Sequence, residues 1–338
     1  MKLSLPRPTS LPVLAFCAAI VLAGCETDKP ASRALKPLSP KMLALLDQKR
    51  MPKETPILIR LFKEESEVEV WKQDTSGRFA LLKTYPICRW SGELGPKVRE
   101  GDRQAPEGFY TVTPAQMNPN SRYHLSFDIG YPNAYDRALN RTGSHIMVHG
   151  DCSSRGCFAM TDDQISEIYA LARESFSGNQ KSFQVQAYPF RMTPLNIAKH
   201  RNNPNMPFWK MLKEGNDHFE VTHLEPRINV CEGRYVFDAE PVSGSPGNET
   251  GAIGPASAFA AATTPAEFAF NPTGWCPPYR ILNEIATAVA EKNRRDEIDT
   301  SELVSHGTVT VPDRTGRDGG THPVFRIGPW AQNSSALD

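Results

Sequence analysis

The segment SHIMVHGDCSSRGCFAM, Ser144 to Met160, sets a histidine, His149, eight residues before a cysteine, Cys157, that directly follows Gly156. Ile146, Met147 and Val148 form a short apolar run ending at His149, as expected of a buried strand that would hold the imidazole rigidly. Gly150 and Gly156 permit tight backbone turns able to bring histidine and cysteine together. A cysteine is nucleophilic only as thiolate, so a catalytic one needs a base within hydrogen-bond reach and a third group to orient that base. Amides around Gly156 and Cys157 are candidate donors to the oxyanion of an attacked carbonyl. Residue chemistry alone leaves three other readings open. His149, Cys152 and Cys157 could be zinc ligands, although no second Cys-x-x-Cys pair is at hand; Cys152 and Cys157 could form a local disulfide; or either could be a buried structural thiol.

Downstream, Thr161 and Gln164 have capping-box spacing, Asp162 and Asp163 complement a helix N-terminus, and Ile165, Ile168, Tyr169 and Ala172 share one helical face. This predicts a helix from about Asp162 to Ser175, after which QVQAYPF reads as a closing strand. A helix N-terminus soon after Cys157 would lower its thiol pKa, which favours Cys157 over Cys152 as nucleophile. Upstream, ILIRLF, EVEVWKQ, FALLKTYPICRW and GFYTVT are β-branched and aromatic runs bounded by Gly, Pro, Asp and Ser, the marks of successive strands in an antiparallel or mixed sheet. The fold class is therefore α+β, rich in strands, with a few helices packed on them. The folded catalytic unit is expected over 56–190, and a C-terminal extension over 191–338, with helices at Leu195 to Gly215 and Pro277 to Asn293 and a Gly, Ala, Pro and Ser-rich flexible loop at 242–264. Cys231 and Cys276, each beside strand-like or turn residues, are expected to pair across that loop, for about 3–4 kcal/mol if unstrained.

The first residues address the compartment. Lys2 and Arg7, then the apolar run Leu11 to Leu22, read as a signal peptide over 1–24, too short for a membrane span. The following Leu22-Ala23-Gly24-Cys25 resembles a bacterial lipobox, which implies diacylglycerol on Cys25 and a mature chain that begins there. Residues 25–55 then form a polar tether and a short helix around Met42 to Leu46. Glu26, not aspartate, follows Cys25, which by analogy with enteric sorting favours the outer membrane, facing the periplasm. Lys plus Arg and Asp plus Glu number 38 each, so no net field recruits nucleic acid or anionic lipid, and the partner must be found by a local site.

His149-Gly150 and Ser154-Arg155-Gly156-Cys157 resemble the active-site signature of the YkuD-type L,D-transpeptidase catalytic domain. Arg155 stands where that family usually carries a second histidine, and the gap from His149 to Cys157 is shorter than in common members; both features match its YafK-like branch. GELGPKVREGDRQAPEGFYTV with Pro106 and Gly108, SFDIGYPNAYDRA, and FRMTPLNIAKHRNNPNMPFWKMLKEGNDHFE extend the resemblance over most of residues 56 to 235. It implies a β-rich YkuD-type sandwich, Cys157 as nucleophile, His149 as base, the Gly150 carbonyl as its orienter, and Ser154 and Gly156 as shapers of the oxyanion turn. It implies no cofactor and no metal. The substrates it implies are peptidoglycan stem peptides, attacked at the carbonyl of the meso-diaminopimelate L-centre, in cell-wall biogenesis and cell shape; carbapenems would trap the thiol. A related amidase, which releases a lipoprotein from peptidoglycan, is the alternative, and a non-catalytic wall-binding lipoprotein a further one. His124 and His145 are expected to be ordinary surface or strand histidines.

Overall fold

The computed structural model describes residues 30–241 and 271–310. The leader, Cys25 and the 242–264 loop lie outside the described residues. In chain order the strands are β1 (Ile57–Phe62), β2 (Glu67–Gln73), β3 (Phe79–Pro86), β4 (Arg89–Trp90), β5 (Gly108–Val112), β6 (Met117–Asn118), β7 (Ser126–Asp128), β8 (Met147–His149), β9 (Phe158–Ala159), β10 (Phe183–Tyr188), β11 (Ile228–Cys231), β12 (Arg234–Phe237), β13 (Ala239–Pro241) and β14 (Tyr279–Ile281). The helices are α1 (Pro30–Ala34), α2 (Pro40–Gln48), α3 (Ala134–Ala138), α4 (Asp162–Ser177), α5 (Pro194–His200), α6 (Met206–Thr222) and α7 (Asn283–Ser305). The chain is α+β.

One mixed sheet runs in the order β3-β2-β1-β10-β5, with β1 and β10 parallel and the other neighbours antiparallel. A second runs β4-β9-β8-β7-β6, with β8 and β9 parallel. Strand β1 shows how the first is built. Successive side chains point to opposite faces, so Ile57, Ile59 and Leu61 join one core and Leu58, Arg60 and Phe62 the other side. The first core also takes Phe127, Val148 and Phe158 from the second sheet, Leu125 just before β7, and Ile165, Ile168, Leu171 and Ala172 from α4. The second core joins Phe62, Phe109 and Tyr188 to Trp209 and Leu212 of α6 and to Tyr235 and Phe237 of β12. The first sheet is thus covered on both faces, and residues after 190 cover one of them.

Helix α4 starts from Thr161, whose hydroxyl accepts the Gln164 N–H while Gln164 reaches back to the Thr161 N–H, a complete capping box. Instead of one helix from Leu195 to Gly215 there are two, because Asn203, Pro204 and Asn205 interrupt the run. Helix α7 begins later than expected, at Asn283, since Tyr279–Ile281 pair with Ala239–Pro241 as a strand. Cys231 and Cys276 are joined by a disulfide with Cα atoms 5.3 Å apart, which ties β11 to the chain entering β14.

Candidate active site

His149 closes β8 between Ser126 of β7 and Ala159 of β9, its register partners. Register partners project to one face of a sheet, and so do residues two apart along a strand. Cys157 directly precedes β9, the neighbour of β8, and its sulfur comes to Met147, two residues before His149. The Cys157 sulfur is fixed there by the Met147 N–H at 3.4 Å, and the thiol reaches the His145 carbonyl at 3.8 Å. Among the described cysteines Cys157 is the one free thiol.

The imidazole is 3% exposed, and the Tyr123 ring packs on it at 4.7 Å between centroids. Its Nδ1 lies 2.6 Å from the Gly150 carbonyl. A carbonyl only accepts, so the hydrogen-bond network assigns the proton to Nδ1 and leaves Nε2 as an acceptor. Burial holds the His149 pKa below its ordinary 6.5, against the opposing pull of the Gly150 carbonyl. Gly150 has no room for a side chain: a Cβ there would stand 2.6 Å from an Asp162 carboxylate oxygen and 2.9 Å from the Tyr123 carbonyl.

The turn from His149 to Cys157 is held by a carboxylate and a backbone carbonyl that accept its amides. Asp162, in the first turn of α4, accepts the Asp151 N–H at 2.8 Å, and the Met160 carbonyl accepts the Cys152 N–H. Asp151 and Cys152 both sit at positive φ, 65° and 47°, a conformation that non-glycine residues keep only when surroundings impose it. Cys152 is disulfide-bonded to Cys88, with Cα atoms 5.3 Å apart. That bond corrects the readings that paired Cys152 with Cys157 or made Cys152 a metal ligand, since its thiolate is already spent.

Two expectations about Cys157 change. The amides of Gly156 and Cys157, sought as oxyanion donors, point in this resting arrangement to the Ser154 hydroxyl, at 3.3 and 3.1 Å. Ser154 in turn donates to the Cys157 carbonyl at 2.6 Å and meets the Ser91 hydroxyl at 2.8 Å. Nor does a helix begin at the cysteine: β9 and the Thr161 cap intervene before Asp162, so the dipole acts from a distance. The thiol pKa is raised above its ordinary 9.0, chiefly by burial, with the Asp128 carboxylate adding to the rise and the Met147 N–H and Lys97 opposing it. Both shifts favour the neutral form of their group.

His124 is taken up by α4, with Nε2 2.8 Å from the Ser166 hydroxyl, and His145 is exposed at the mouth of the site. Sequence reasoning passed over Cys88, Ser91, Tyr123 and Asp128. Cys88 was within reach of elimination: once Cys231 pairs with Cys276 and Cys157 stays free, Cys88 and Cys152 are what remains. A cavity of about 680 Å3 lies elsewhere, among α5, α6 and α7, lined by Lys210, Glu214, His218 and Val289.

Residues 59–219 match the family model described as YkuD, L,D-transpeptidase catalytic domain. The protein named "Putative L,D-transpeptidase YafK" of Escherichia coli (strain K12) is 44% identical over 189 residues, which covers 56% of this chain and 76% of that one; its counterpart in Escherichia coli O157:H7 gives the same figures. Among solved structures, the helical cell shape determining protein Pgp2 from Campylobacter jejuni is similar at 20% identity and a TM-score of 0.33, over 48% of this chain and 57% of that one. Bd1075 of Bdellovibrio bacteriovorus is similar at 16% identity and a TM-score of 0.30, over 52% of this chain and 76% of that one.

Proposed function

We propose, for a chain that belongs to the YkuD L,D-transpeptidase family, a cysteine-dependent enzyme of peptidoglycan in which Cys157 is the nucleophile and His149 its base. As Cys157 Sγ attacks the carbonyl of the meso-diaminopimelate L-centre, its proton passes to His149 Nε2. The bond to D-alanine breaks, the imidazolium returns the proton to the leaving amine, and a thioester remains. An acceptor amine then attacks the thioester, gives its proton to His149, and the carbon–sulfur bond breaks to restore the thiol. The Gly150 carbonyl keeps Nε2 aimed through both halves. With water as acceptor the same first half ends in hydrolysis, and with a lipoprotein lysine as leaving group it becomes the amidase of the YafK-like branch. The observation that carries the reading is one free thiol held at Met147, two residues before a buried histidine whose other nitrogen is locked.

Mass analysis after incubation with disaccharide tetrapeptides, and separately with lipoprotein-linked muropeptides, tests it. Loss of D-alanine with a 3-3 dimer is the expected result, release of the lipoprotein peptide would mark the amidase, and unchanged masses in both would refute an enzyme. The leader and Leu22-Ala23-Gly24-Cys25 support a lipid-anchored periplasmic protein, with the outer membrane favoured. Cys25→Ala should release it from membranes; unchanged fractionation and mass would contradict the anchor.

A further inference from the structure

Asp128 closes β7, and its register partner is Met147 of β8, the residue whose N–H holds the Cys157 sulfur. By the pleat, Asp128 and Met147 face the side that His149 faces, and the Cys157 sulfur is held at Met147. One Asp128 carboxylate oxygen is used, accepting the Gly130 N–H at 2.8 Å. The other meets His145, 3.7 Å away and with its side chain 81% exposed, a neighbour solvent can displace. Lys97, the nearby cation, is buried and committed to Asp102 and the Arg99 carbonyl. A carboxylate here works against the nucleophile, because it disfavours the thiolate. What it can do is receive a cation carried in by the substrate.

The spacing fits one. Two strand separations of about 4.8 Å put Asp128 about 10 Å from Cys157 across the sheet face. The six bonds from the attacked carbonyl to the far amine of diaminopimelate span about 7.5 Å when extended; with about 3 Å from sulfur to carbonyl carbon and about 3 Å for the hydrogen bond the full reach is about 13 Å, so a bent side chain bridges the two positions. We propose that Asp128 is a specificity-determining residue that binds the D-centre ammonium of the stem-peptide diaminopimelate, and so sets which carbonyl reaches Cys157; this rests on the peptidoglycan reading above. The free oxygen accepts the ammonium N–H, a charge-assisted bond.

Binding to the full mature chain carrying Cys157→Ala, measured by calorimetry, tests the assignment. Three probes are used: the disaccharide tetrapeptide with meso-diaminopimelate, the same with the D-centre amine acetylated, and the L-lysine tetrapeptide, which keeps the ammonium and lacks the far carboxylate. The two amine-bearing probes should bind about tenfold more tightly than the acetylated one. Adding Asp128→Asn should erase that difference without weakening the acetylated probe. In the chain with Cys157 intact, Asp128→Asn should also move the alkylation midpoint of Cys157 to lower pH, a change that loss of structure would not give in a variant with native circular dichroism. Equal affinity for all probes, no binding of any, or an equal loss for all three in Asp128→Asn would overturn it. Amine-dependent binding without any acylation of the wild-type chain would leave Asp128 standing and sink the enzyme reading; equal acylation of amine-bearing and acetylated substrates would do the reverse.

Discussion

The two five-stranded sheets share one apolar core, yet they differ in strand length and in what fixes their loops. Strands of the first are five to eight residues long, with β1 and β10 at its centre buried throughout, and place Ile57, Ile59, Val185 and Tyr110 on one face and Phe62, Phe109 and Tyr188 on the other. Strands of the second are two or three residues long. Such short ladders give little cooperative pairing; Phe127, Val148 and Phe158 anchor the second sheet in the shared core, and Asp162, Ser154, Ser91 and the Cys88–Cys152 bond grip the turn between His149 and Cys157. Apolar burial thus builds a platform, and directed polar contacts set a constellation on it. Substitutions on the platform should cost stability, and those in the constellation should cost rate.

His149→Ala gives the largest separation. Removing the base should lower kcat by about 10^2 to 10^4-fold while substrate still binds. Thermal unfolding should stay near wild type; a large drop in midpoint would show that the site and the platform are not separable.

Lys63→Ala attacks the platform. Lys63 and Glu107 are fully buried, with Nζ 2.8 Å from the carboxylate and also donating to the Gly95 and Ala105 carbonyls. Trp209 of α6 donates to the other Glu107 oxygen at 2.8 Å. Leaving Glu107 buried without its cation should cost about 3–5 kcal/mol in denaturant unfolding, and a cost under about 1 kcal/mol would refute this view of the pair.

A smaller effect sharpens the chemistry. The His149 pKa is lowered and the Cys157 pKa raised, so kcat/KM should fall with acid only below the ordinary histidine value of 6.5 and hold its plateau past pH 9. Iodoacetamide should alkylate Cys157 slowly at pH 7 without substrate. Fast alkylation at pH 6 would mean a resting thiolate–imidazolium pair instead.

This division also explains what could be read in the sequence. Glu67 to Gln73 alternates and is a strand, and Thr161 with Gln164 caps a helix, because pattern and cap are local. The candidacy of His149 and Cys157 rested on one motif and its resemblance, both of them local in the chain. The grip on the turn was not legible, because Cys88, Ser91 and Tyr123 lie 64, 63 and 26 residues from the groups they meet and carry no local pattern. The turn of the Gly156 and Cys157 amides toward Ser154 is likewise a matter of torsion that composition does not encode.

The most direct measurement is the site of covalent attachment. The mature chain, incubated with a carbapenem or a disaccharide tetrapeptide and digested without reductant, should carry the acyl group on Cys157 alone, with Cys88 and Cys152 recovered as one disulfide-linked pair. Acylation on Cys152, or full turnover by Cys157→Ala, would contradict the assignment of the nucleophile.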